Sequence, residues 1–142
     1  MEYRKFGDTY VLRLERGEEI IASLSDLCRK EDLKLAAVEG LGAADYAVIG
    51  LYDVGGRVYH KTELHGPMEI TSLTGSISRK DGEPYLHLHI NLCNQDMHVL
   101  GGHLNECRIS ATAEIFLREI PGEVGRQLDE KVTGLNLFRF QQ

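Results

Sequence analysis

The sequence predicts an α+β domain, a mostly antiparallel sheet packed with one main helix. Three observations carry this. Only one segment, Glu18–Asp32, shows an apolar stripe at helical spacing. Nearly everything after it alternates apolar and polar residues with a period of two, the mark of strands with one buried face. Tight-turn signals separate the segments, in a chain of 142 residues with 15 Gly, 3 Pro and no Trp. An early helix followed by many strands joined by short turns gives this class.

Taken in order, Tyr3–Phe6 and Thr9–Leu14 are two strands around the turn Gly7-Asp8. Gly17 breaks the pattern. Ile20, Ile21, Leu24, Leu27 and Cys28 then line one helix face, with Glu18 and Glu19 in the first turn and Arg29 and Lys30 near the last, both favourable to the helix dipole. Leu35–Glu39 is a strand entering Gly40-Leu41-Gly42, and Ala44–Asp53 is a second, closed by Gly55-Gly56. Arg57–Glu63 pairs back as a hairpin. Met68–Ser78 follows, with Gly75 at a bulge or close approach. Lys80-Asp81-Gly82 turns the chain into the histidine strand. Arg108–Ile120 reads as the longest strand. Cys107, Ile109, Ala111, Ala113, Ile115 and Leu117 face the core, and Arg108, Ser110, Thr112, Glu114 and Phe116 face away. Gly122–Lys131 is a loop or a short helix, and Leu135, Leu137 and Phe138 read as packed.

The stretch from Glu83 to Leu104 bears the chemistry. Leu86, Leu88, Ile90 and Leu92 point one way; His87, His89 and Asn91 point the other. Two histidines at i and i+2 share a face, about 7 Å apart at their roots. His103 follows Gly101-Gly102, and a hairpin return brings it to that face. The two glycines let the backbones approach closely enough for the meeting. Three imidazoles with open positions are a metal-site arrangement suited to zinc and to other divalent transition metals. A merely polar strand face is the competing reading. His98 falls on the opposite face by alternation.

Composition narrows the function. A formal charge of −6 and a pI near 5.5 argue against a broad phosphate-binding surface. Cys28, Cys93 and Cys107 show no CxxC pairing and read as reduced, mostly buried thiols. The amino terminus has no apolar signal region, and no apolar run approaches the ~20 residues of a membrane span. The reading is a cytoplasmic protein with no membrane partner.

EGLGA (Glu39–Ala43), MEITSLTGSIS (Met68–Ser78), LHLHINL (Leu86–Leu92), VLGGHL (Val99–Leu104) and the trailing ATAEIFL (Ala111–Leu117) resemble, in this order and spacing, the PPC domain, also called PCC or DUF296. The resemblance covers residues 1–142. It implies a curved antiparallel sheet with a helix, assembly as homotrimers, and a histidine metal site that maps onto His87, His89 and His103. It also implies DNA binding, the activity for which stand-alone prokaryotic members are named. Plant members carry AT-hooks; here Arg16-Gly17-Glu18 and Gly125-Arg126-Gln127 lack the second arginine and the proline. In a trimer the metal could lie at a subunit boundary, where Glu69 or Glu114 would complete it or support a small-molecule ligand. The favoured reading of each is a solvated or salt-bridged strand carboxylate.

Two functions follow: a metal-binding oligomeric module with a regulatory, DNA-linked role, or a metal-dependent hydrolase in which a His₃ ion activates water. The HxH strand also resembles the cupin pattern, but Cys93 and Asn94 stand where that pattern expects a glutamate.

Overall fold

The computed structural model describes residues 1–140. The elements run β1 (Glu2–Phe6), β2 (Thr9–Glu15), α1 (Ile20–Lys30), β3 (Ala36–Asp53), β4 (Val58–Lys80), β5 (Glu83–Asn94), β6 (Val99–Glu119), β7 (Gly125–Leu128) and β8 (Asn136–Arg139). The six-stranded sheet has the order β1-β2-β6-β3-β4-β5, every pairing antiparallel. A further pairing of β5 with β6 closes the sheet on itself at one end. This is the predicted α+β class with one helix in a single domain.

Helix α1 is shorter than the apolar stripe suggests. Glu19 lies at the N-cap rather than in the first turn, its carboxylate accepting from the Ile21 and Ala22 amides. The same carboxylate accepts from the Cys107 amide, which ties the helix start to β6. Ile20, Leu24, Leu27 and Cys28 are buried against the sheet.

Glycine and proline mislead about strand ends. β3 runs unbroken through Gly40 and Gly42, because these glycines admit a neighbouring strand rather than stop their own. A Cβ on Gly42 would stand 2.5 Å from the Thr112 carbonyl oxygen of β6. β4 runs through Gly66-Pro67, two residues that bulge opposite Asp45 where the register slips between Ala44 and Tyr46. At 23 residues β4, not the Arg108 strand, is the longest. β6 joins the Val99–Leu104 and Arg108–Ile120 segments into one strand. Its residues between Ile109 and Ala113 loop out opposite Ala43, so Ala111 is exposed rather than in the core. Gly122–Lys131 contains β7, which pairs with β8 in a hairpin, and Leu135, Leu137 and Phe138 remain about 40% exposed.

The core is continuous. Leu88, Ile90 and Leu92 of β5 meet Ile70, Leu73 and Ile77 of β4, Leu104 and Ile109 of β6, and the apolar face of α1. The histidines occupy the opposite face of the same strand.

Candidate metal centre

Register brings the histidines together. His89 lies directly across from His103 on β6, and His87 stands two residues along β5 on the same face. His103 is flanked on its other side by Gly50 of β3, so the triad sits where the sheet closes. Directly opposed strand residues have neighbouring Cβ atoms, and diagonal neighbours remain within reach of a large side chain. Ring centroids are 5.2 Å apart for His87–His89, 5.4 Å for His87–His103 and 5.7 Å for His89–His103. One ligand nitrogen from each ring lies within 4.8 Å of the other two.

The glycines supply the close approach. Gly102 packs against β3, and a Cβ there would stand 2.6 Å from the Gly50 carbonyl oxygen. Gly101 lies opposite Asn91, whose side-chain oxygen would be 2.1 Å from an added Cβ. Asn91 itself donates to Ser72 Oγ at 2.9 Å, which holds the row beneath His89.

Burial lowers the pKa of His87 below the ordinary 6.5, and the charges of His89 and Arg126 push it the same way. His103 is lowered first by burial and then by His87 and His89. Neutral imidazoles are the form that binds metal, because the ring nitrogen must offer a lone pair. The donor set fits a divalent transition metal: three imidazole nitrogens on one face, with room for further ligands.

Three residues beside the triad carry no signal in the linear sequence. Tyr59 of β4 lies across Gly50 and meets His103 edge-on, centroids 6.0 Å apart. A side chain at Gly50 would collide with it, the added Cβ only 2.1 Å from Tyr59 Oη. Asn105 donates to that hydroxyl at 2.6 Å. On the other flank, Arg126 of β7 donates from Nε to Ser78 Oγ at 2.9 Å. Only the register and the β7–β8 hairpin bring these groups to the histidines.

The two carboxylates lie apart. Glu69 pairs with Cys93, two rows down the sheet from His89, about 14 Å at strand spacing. Glu114 stands opposite Arg13 and Leu41, roughly 35 Å of strand from His103. Within one chain neither joins the triad. His98 is exposed in the turn before β6 and also lies outside it. Cys28 and Cys107 are buried free thiols, pushed up to about 11 and about 12 by burial. Cys93 is half-buried.

The fold and site thus define an α+β protein with three histidines converging where its sheet closes. The Plants and Prokaryotes Conserved (PCC) domain profile matches residues 1–121, and the chain belongs to that family. Among solved structures, a plant- and prokaryote-conserved (PPC) protein from Pyrococcus horikoshii is 34% identical, with TM-score 0.87 over 99% of this chain and 96% of that one. A metal-containing protein from Archaeoglobus fulgidus is 35% identical, with TM-score 0.88 over 98% and 97%. A "putative DNA binding protein" from Bacteroides thetaiotaomicron is 26% identical, with TM-score 0.95 over 99% and 98%. No curated protein matches the chain. Among the described residues no helix is long and apolar enough to cross a membrane.

Proposed function

We propose that this PCC-domain protein holds one divalent transition-metal ion, zinc foremost, on His87, His89 and His103, and works as a self-associating module around that site. The observation that carries the reading is the convergence of three ligand nitrogens within 4.8 Å. The metal-containing relative from Archaeoglobus fulgidus supports it. When bound, such an ion supplies Lewis-acid character and acidifies any water in an open position. Gly101 and Gly102 keep β6 close enough for His103 to join the other two. Exposed Leu41 and Phe116, on the outer face of β3 and β6, offer apolar surface for a homotrimer.

The test is metal content per chain by plasma mass spectrometry on untagged protein, beside a His87→Ala/His89→Ala variant. Near-stoichiometric metal in the wild type and none in the variant is the expected result. No metal in either, even after dialysis against zinc, refutes the reading. Light scattering in the same samples reports the trimer.

DNA binding is the second reading, favoured by the printed names of relatives. The surface chemistry limits it. Arg4, Arg13, Arg29, Arg79 and Arg108 are each paired with a carboxylate, and the formal charge of −6 opposes a broad phosphate-binding surface. A duplex-binding assay across salt concentrations tests it: a steep fall in affinity with salt is expected of phosphate contacts, and no measurable binding at low salt removes the reading.

A further inference from the structure

Arg126, half-buried, differs from the carboxylate-paired arginines of this chain. Nε donates to Ser78 Oγ at 2.9 Å and Nη1 to the Asn136 carbonyl at 3.1 Å. The guanidinium lies over two rings, 4.0 Å from the centroid of Phe138 and 4.7 Å from that of Tyr85. Nη2 is buried and has no hydrogen-bond partner. Both acceptors are neutral, and among the described residues no carboxylate meets this charge. Arg126 as a whole is half-buried, but a guanidinium nitrogen withdrawn from water without an acceptor leaves its desolvation uncompensated.

Its location gives the missing charge a place. Ser78 pairs with Tyr85, and the next row on the same face is Ser76 with His87. The guanidinium therefore lies over the row beside the triad, about 7 Å along the strand. A divalent ion on three neutral imidazoles keeps its full charge, and the lone guanidinium adds another. Glu69 and Glu114 are too distant within the chain to balance them. On the far flank, Tyr59 accepts from Asn105 and so retains its own hydroxyl proton for an acceptor.

We propose that the open face of the triad binds a small organic carboxylate, with one oxygen on the metal and its negative charge balanced by Arg126. The inference rests on the metal reading above. A carboxylate supplies what the donor set lacks: anionic oxygen for the ion, countercharge for the guanidinium and an acceptor for Tyr59. The β7–β8 hairpin covers the arginine side with Phe138, which suits a small molecule better than a nucleic-acid backbone.

The experiment uses the full chain loaded with Co²⁺, metal content checked by plasma mass spectrometry, and follows the visible spectrum of the bound ion. Oxalate, inorganic phosphate and a short DNA duplex are titrated into the wild type, Arg126→Lys, and two neutral variants, Arg126→Gln and Arg126→Met. The two neutral side chains retain most of the aliphatic stem, so one folded variant, verified by circular dichroism, is enough. Oxalate binding at least tenfold tighter in the wild type than in the neutral variant, and largely kept in Arg126→Lys, supports the inference. Equal oxalate affinity in wild type and neutral variant, with metal bound in both, overturns it and leaves the metal site standing. Preference for phosphate or duplex over oxalate also overturns it. Absence of bound metal from the wild type overturns both readings.

Discussion

The two faces of β5 share one backbone and answer to different physics. Leu88, Ile90 and Leu92 are each 1% exposed and contribute to folding by leaving water. His87 and His89, which alternate with them in sequence, lie on the open face and contribute little to folding. On the core face the requirement is apolar volume, which several residues can meet. On the histidine face it is the position of particular lone pairs, which depends on strands β3 and β6 as much as on β5. One face tolerates chemical substitution but not lost volume; the other tolerates lost volume but not changed chemistry.

Four experiments break or sharpen that contrast. The largest effect is expected from His87→Ala/His89→Ala, which should abolish metal binding while changing the stability of the metal-free protein by no more than about 0.5 kcal/mol, as exposed substitutions do. A chemical-denaturation midpoint that collapses in the metal-free protein would show the histidine face to be structural. Ile90→Ala should do the reverse, costing about 2–5 kcal/mol through lost burial and a cavity while the folded fraction still takes up metal. Full metal loss in folded Ile90→Ala would mean that the faces are not separable.

Gly102→Val sits between them. Its added Cβ would stand 2.6 Å from the Gly50 carbonyl oxygen and push apart the two strands that place His103. About 1–3 kcal/mol of strain is expected, with a marked fall in metal occupancy. Unchanged occupancy in a folded variant refutes the positioning role. The smallest effect is that of pH on the metal-free protein. His87 and His103 have lowered pKa values, so between the folded values and 6.5 the unfolded chain binds more protons. Stability should be fully present above pH 6.5 and decline as pH falls through the folded values. Melting temperatures of wild type and the double alanine variant, compared at pH 7.5 and 5.5, check this: the wild type should lose more. Equal loss would show that these groups do not titrate as their surroundings imply.

Much of the fold was readable because its signals are local. The helical stripe and the alternation in β5 hold. The errors came where a residue has two uses. Gly40 and Gly42 read as breaks, yet they give β6 room to approach. Ala111 continues an apolar alternation, but a bulge turns it outward. Leu135, Leu137 and Phe138 read as packed by hydrophobicity alone, and the hairpin leaves them half open. The histidine cluster was readable because the HxH alternation and the Gly-Gly return are both short-range patterns. Tyr59, Asn105 and Arg126 were not, since nothing in their neighbours marks them.

By itself, the sequence determined which face of β5 is apolar, where the helix lies, and that His87 and His89 share a side. These follow from side-chain periodicity, which needs only nearby residues. The tertiary structure alone decided that β5 closes onto β6 so that His89 faces His103, that Gly50 leaves room for Tyr59, and that the β7–β8 hairpin carries Arg126 to Ser78. Those depend on register between strands distant in the chain. Register is set by the sum of core packing, bulges and close backbone contacts rather than by any single stretch of residues.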